Sequence, residues 1–299
     1  MGISIEEKEE FRGFSLRLRT AGETQRLFPR TLPYYKMFFL RRKVPMQGRF
    51  IFLGTGASLG VPVIGCSCEV CRSEMSYNRR LRSSGLVRIA DKQVLIDAGP
   101  DFRFQALKHH IHRLDAALLT HSHYDHIGGI DELRIYDFIQ KRPLSIFLSN
   151  DSLQEITARY PYLFSNKGSH LSWQVLQGDE GVVDLEGIQI GYFSYEQKGM
   201  KVTGFRIGKF AYVTDIQSYT ESVFESLSGV ETLVLSALRH EVSPLHLSID
   251  QAVSFAHHIG AKHTYFTHVS HDVDYGTTSS SLPSDIRLSY DGLEIVFDY

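Results

Sequence analysis

The chain has 299 residues, of which 42% are hydrophobic and 22% charged, and a formal net charge of −2. These values argue against long-range disorder and against global nucleic-acid binding, and they allow a substantial core without disulfide staples. No apolar run approaches the roughly 18 residues a spanning helix needs. The start, Met1-Gly2-Ile3-Ser4-Ile5-Glu6, has neither a signal-peptide core nor a myristoylation pattern, so a soluble, cytoplasmic protein without membrane attachment is expected.

Residues 1–45 stand apart, with ten Lys and Arg against five Asp and Glu. They read as a basic extension, mobile or loosely docked, or as an arm toward a phosphate-rich partner. A translation start at Met37 or Met46 is a third option. Residues 46–299 read as the main domain. Arg49–Leu53 is a strand that turns sharply at Gly54–Ser58. Residues 86–90 and 93–97 form a hairpin around Asp91-Lys92. Helix is expected at 104–110, strand at 114–120, helix at 130–140, strand at 144–149 and helix at 152–160. Two or three strands lie within 175–193, and strands at 204–207 and 210–214 flank Gly208. The chain then alternates: helix 218–227, strand 232–236, helix 249–259, strand 263–267, and a last strand at 293–297. Runs of strands followed by alternation suggest two packed sheets with helices outside, a four-layer α/β sandwich.

The densest chemistry is Thr120-His121-Ser122-His123-Tyr124-Asp125-His126-Ile127-Gly128-Gly129, after an apolar strand and before a helix. His121 and His123 alternate in extended backbone and point the same way. Asp125 and His126 begin the next segment and face a neighbouring point. Four ligands in six residues can hold two metal ions close together, with imidazole suiting Zn, Mn or Fe and carboxylate adding tolerance for harder ions. The three cysteines, Cys66, Cys68 and Cys71, are crowded and odd in number, a poor disulfide framework and a plausible metal cluster. Tetrahedral zinc wants a fourth N or S ligand, and His271 is the best candidate. Asp215, at the end of Tyr212-Val213-Thr214-Asp215, is a candidate carboxylate between two cations.

These features resemble the metallo-β-lactamase superfamily, whose signature is His-x-His-x-Asp-His, over about residues 49–299. Within it the chain looks most like the PhnP-type phosphodiesterases, which act on cyclic phosphates. Phe52-Leu53-Gly54-Thr55-Gly56, the cysteine cluster, and Ile96-Asp97-Ala98-Gly99-Pro100-Asp101-Phe102-Arg103 support this, as do two later His motifs. The resemblance implies an αββα fold with a dinuclear site of two divalent metals, zinc or manganese. Its ligands would be His121, His123, Asp125, His126, Asp215 (bridging) and His268. It also implies one structural zinc on Cys66, Cys68, Cys71 and His271, catalytic roles for Asp125 and for His246 as proton donor or phosphate contact, and an orienting role for Asp97. Arg103, Arg206 and Arg239 are candidates for phosphate contact.

Two departures stand out. Relatives carry another metal-binding His before the Gly-Phe/Tyr-Arg strand. Here Ser194–Arg206 contains none; Gln197 falls nearest, with Glu196 beside it, and His170 would substitute only if its loop folded back. Ser243 stands where many relatives have a His. The expected activity is a metal-dependent phosphodiesterase acting on cyclic or other small phosphodiesters. The alternatives are an RNase Z-like RNA-processing nuclease, or a zinc-stapled, non-catalytic member with a degraded site. A homodimer is left open.

Overall fold

The apolar runs are strands buried on both faces. In the computed structural model, which describes residues 46–164 and 170–299, they pair into two seven-stranded sheets. In chain order the strands are β1 (Gln47–Gly54), β2 (Ser84–Ile89), β3 (Lys92–Ile96), β4 (Ala116–Leu118), β5 (Leu144–Leu148), β6 (Leu171–Val175) and β7 (Glu180–Leu185). There follow β8 (Ile188–Gln197), β9 (Met200–Ile207), β10 (Phe210–Val213), β11 (Thr232–Ser236), β12 (His263–Thr267), β13 (Ile286–Leu288) and β14 (Glu294–Asp298). The first sheet has the order β14-β1-β2-β3-β4-β5-β6 and the second β13-β12-β11-β10-β9-β8-β7. In each, three antiparallel pairings occupy one half and three parallel pairings the other.

The α-helices are α1 (Glu69–Arg72), α2 (Phe102–Lys108), α3 (Tyr124–Ile127), α4 (Ile135–Gln140), α5 (Asn150–Arg159), α6 (Glu221–Leu227), α7 (Ile249–Ile259) and α8 (Tyr275–Ser281). Side-chain alternation along β1 shows how the layers separate. Phe50 and Phe52 face the second sheet, in a core with Ile190, Phe205, Phe210 and Tyr212. Ile51 and Leu53 face outward, into a core completed by Phe102, Tyr136 and Ile156 from α2, α4 and α5. The outer face of the second sheet packs Val213 and Leu235 against Val223, Leu227 and Phe255 of α6 and α7. Three cores between four layers are the expected sandwich.

Local signals set several boundaries. Ser248 and Gln251 form a reciprocal capping box at the start of α7, and Gly260, at φ 70°, ends it. Ser149 accepts from the Ser152 N–H, so α5 begins two residues before the expected 152. The helix expected at 130–140 is instead a 3₁₀ turn, Ile130–Arg134, followed by α4. The basic extension at 1–45 lies outside the described residues. Among the described residues no helix is long and apolar enough to cross a membrane.

Phe50 is fully buried between the sheets, with the Phe52, Phe210 and Tyr212 rings 4.8, 5.0 and 5.7 Å away. Phe50→Ala should lower the unfolding free energy by about 3–5 kcal/mol in a denaturant titration. A loss below about 1 kcal/mol would contradict this packing.

Candidate metal centre

The site forms where parallel strands of both sheets end, the place in α/β sheets where loops diverge and leave a crevice. Asp97 (φ 60°) follows β3, β10 leads through Thr214 to Asp215 (φ 57°), and His268 (φ 56°) follows β12. Left-handed backbone at a non-glycine costs of order 1–3 kcal/mol and persists where surrounding structure enforces it. The sheets are stitched at this edge: the Thr203 N–H donates to the Thr120 carbonyl, and Thr55 and Ala57 pair with Val269.

The histidine motif spans the end of the β4 segment and α3. His121, Asp125 and His126 are buried, and His123 is exposed. His121 Nε2 lies 3.0 Å from His123 Nδ1, and both converge with Asp215. Asp125 and His126 converge instead with His268. The alternation inferred from sequence thus resolves into two adjacent donor groups. Close packing behind α3 needs glycine. A Cβ on Gly99 would lie 2.1 Å from the Asp125 carbonyl oxygen, and one on Gly129 would lie 2.2 Å from the Gly99 oxygen.

Asp97 organises the interior of the motif. Fully buried, it accepts the Thr120 N–H (2.8 Å) and the Thr120 hydroxyl (2.8 Å), and its Oδ2 lies 2.7 Å from His126 Nδ1. That contact places the His126 proton on Nδ1 and aims Nε2 at the carboxylates of Asp125 and Asp215, each 3.3 Å away. His268 Nε2 completes the ring, 3.4 Å from Asp125 and 3.5 Å from Asp215.

The electrostatics express the same crowding. Burial weakens proton binding at His126, but Asp125, Asp215 and Asp97 outweigh it and hold its pKa well above the ordinary value. Burial raises both carboxyls, yet His126 and His268 hold Asp125 and Asp215 well below the usual range. Burial, aided by His126, pushes His121 well down. A buried nitrogen facing two carboxylates requires positive charge, either a proton or a cation. His126 Nε2 has no hydrogen-bond partner among the described residues. Donors at the usual metal–N and metal–O lengths around a tetrahedral ion sit about 3.4 Å apart, and Asp125 Oδ2 lies 3.3 Å from His126 Nε2 and 3.4 Å from His268 Nε2. The donor set fits a divalent metal.

The cysteine cluster passes the same test. The sulfurs of Cys66, Cys68 and Cys71 lie 3.3, 3.5 and 3.5 Å from His271 Nδ1. The S–N edge of a tetrahedral zinc site is about 3.5 Å. The Cys71 N–H lowers the Cys68 thiol to about 6, whereas burial raises Cys71 to about 11.

His246 is buried, its ring stacked on His268 at 4.9 Å with Nδ1 3.5 Å from Asp215; burial lowers it to about 4. Gln197 also reaches the centre. It is the last residue of β8, on the same face as Tyr195, and its Nε2 donates to Asp215 Oδ1 (3.0 Å). Glu196 faces solvent. His170 is held by Asp137 and the Phe138 ring rather than by the donors of the centre. Ser243 is buried and caps the Leu245 N–H. Arg206 is engaged by the carbonyls of Gly208 and Ser226, and Arg103 lines a cavity between α2 and α4. The Arg239 carbonyl receives the Ile249 N–H at the start of α7. Sequence reasoning missed the threonines. Thr214 Oγ1 donates to Asp215, as Thr120 does to Asp97, and Tyr195 fixes the Thr214 carbonyl. The shared Thr before Asp215 and before His121 was the available signal.

The beta-lactamase superfamily domain model matches residues 92–269. A solved diphosphatase of the PhnP family is 36% identical, covering 85% of this chain and 98% of its own, with a TM-score of 0.80. The chain therefore belongs to the metallo-β-lactamase superfamily and to its PhnP-like branch. Most members of that superfamily are metal-dependent hydrolases. Zn²⁺-bound PqqB from Methylobacterium extorquens shares the fold, at 18% identity and a TM-score of 0.69 over 83% of this chain and 99% of its own. A protein of Porphyromonas gingivalis named octanoyltransferase is 36% identical over 258 residues, 84% of this chain. The chain spans only 52% of that protein's length.

Asp97→Ala would take the acceptor from the buried Thr120 N–H and His126 Nδ1 and leave the Thr120 hydroxyl only its contact with His121. It should cost at least about 2 kcal/mol of stability, read from the denaturant midpoint at constant slope. An unchanged midpoint would contradict the anchoring role.

Proposed function

We propose that this chain is a metal-dependent phosphodiesterase for cyclic and other small phosphodiesters. Two divalent metals, zinc or manganese, would be held by His121, His123, Asp125, His126, Asp215 and His268. One structural zinc would be held by Cys66, Cys68, Cys71 and His271. The observation that carries the reading is the pair of donor groups meeting at Asp215, whose carboxylate reaches both. Kinship with a PhnP-family diphosphatase at 36% identity supports phosphoester chemistry. The octanoyltransferase name belongs to a protein about twice as long and is not carried to this chain.

The bound metals would supply Lewis acidity toward phosphoryl oxygens and lower the pKa of water. The chain's own groups hold that chemistry in place. Asp97 fixes the His126 ring so that Nε2 stays directed at the centre. Asp125 and Asp215 stay ionised under the influence of His126 and His268, ready to hold cations. His246 sits at the rim and is neutral in the free protein, because burial depresses its pKa to about 4. An arriving phosphodiester anion would favour the protonated ring, which could then hand its proton to the leaving oxygen. Tyr124 and His123, exposed within the motif beside its buried donors, suit contact with the organic part of a small substrate.

Turnover of bis(p-nitrophenyl) phosphate and of a 2′,3′-cyclic nucleotide should fall by about 10²-fold or more in Asp125→Ala and His126→Ala. Activity surviving in both variants would sink the proposal. No turnover by zinc- or manganese-loaded wild type would favour the non-catalytic reading. Preferential cleavage of structured RNA, with binding that weakens steeply with salt, would favour the nuclease reading. In elemental analysis Cys68→Ser should lose one zinc per chain and keep the histidine–carboxylate metals; an unchanged zinc count would contradict the cysteine site.

A further inference from the structure

The two donor groups are unequal. Asp125, His126 and His268 converge on one point, and Asp215 touches both rings, with Oδ2 3.3 Å from His126 and Oδ1 3.5 Å from His268. His121 and His123 share only Asp215 with that set. Their nitrogens are 3.0 Å apart.

Gln197 and His246 are further polar side chains that reach Asp215, the carboxylate this group shares, and His246 also converges with His268. The strand position of Gln197 is fixed by the tight turn at Lys198 (φ 47°) and Gly199 (φ 79°), which pairs Gln197 with Met200 across the hairpin. Alternation then puts Gln197 two residues beyond Tyr195 on the buried face, 4% exposed. Its amide nitrogen lies 3.0 Å from Asp215 Oδ1 and 3.2 Å from His246 Nε2. A half-turn of the amide exchanges nitrogen for oxygen. In one orientation Gln197 donates to Asp215; in the other it offers a neutral carbonyl oxygen. Carbonyl and carboxylate oxygens suit hard ions such as Mn²⁺ better than they suit Zn²⁺, and a neutral amide is a weaker ligand than imidazole.

We infer that the two metal positions load in order. The Asp125–His126–His268–Asp215 position fills first and tightly, and the His121–His123–Asp215 position, completed by the Gln197 amide oxygen, fills second, more weakly and with a preference for manganese. This rests on the two-metal reading above and adds an affinity order and a metal selectivity.

The test is calorimetric titration of the full chain with Zn²⁺ or Mn²⁺ after chelator treatment that leaves the cysteine-site zinc in place. Manganese paramagnetic resonance would count bound ions. In wild type the second binding phase should be about tenfold or more weaker than the first, and less weakened for Mn²⁺ than for Zn²⁺. Gln197→His should tighten the second Zn²⁺ phase by about tenfold or more, and Gln197→Ala should loosen it for both ions. Retained cysteine-site zinc and an unchanged thermal midpoint would certify the variants' fold; the wild-type titration stands without them. Two phases equal within threefold, or a second phase that moves in His246→Ala but not in the Gln197 variants, would overturn the inference while leaving two metals in place. Wild type and Gln197→His that bind no metal beyond the cysteine-site zinc would overturn the two-metal reading itself.

Discussion

The fully buried carboxylate of Asp97 is the constraint on which the centre depends. A polar group so placed needs hydrogen-bond partners, and the Thr120 N–H, the Thr120 hydroxyl and the His126 ring supply them. Each donor carries a structural consequence. The Thr120 N–H fixes how the chain leaves β4. The hydroxyl locks the Thr120 rotamer beside His121. The ring contact decides which nitrogen of His126 faces Asp125 and Asp215. Satisfying one carboxylate therefore sets the exit of a strand, the start of a helix and the direction of a lone pair.

Much of this was legible because the motif is contiguous. His121 to His126 lie within six residues, so strand alternation and the first turn of α3 suffice to sort them into two groups. The β-sandwich was legible from apolar runs such as Phe50–Leu53, buried on both faces. Other parts lacked a local signal. The polar run of α8, Tyr275–Ser281, has no apolar stripe, and only the Asp274 cap marks its start. The short β13 is held by its neighbour β12 rather than by a period of its own. The helix at 130–140 reads as continuous from its periodicity, but the sharp turn after Gly128-Gly129 winds its first part as 3₁₀. The choice between Gln197 and Glu196 could not be made from composition. Strand parity made it, sending one side chain to Asp215 and the other to solvent.

The two sheets repeat one pattern, and that repeat clarifies the roles of two aspartates. Asp97 and Asp215 follow the fourth strand of their respective sheets, both in left-handed backbone near φ 60°. Each is steadied by a threonine hydroxyl. Asp97 is turned behind the histidines and orients one of them. Asp215 is turned between the donor groups and is shared by them. The same turn at matched ends of two sheets thus gives one carboxylate that supports the centre and one that lies within it.

The cysteine cluster joins residues far apart in the chain: Cys66 and His271 are separated by 205 positions. During synthesis the three thiols emerge long before the imidazole that faces them. Nearly the whole domain must be made, and β12 docked in its sheet, before the four donors can meet. Assembly of this cluster is consequently a late event, and its completion reports that the second sheet has closed on the first. A chain halted before His271 would carry the three thiols without their partner, open to oxidation or to capture by stray metal. The arrangement links the maturity of the fold to the chemical quietness of its cysteines.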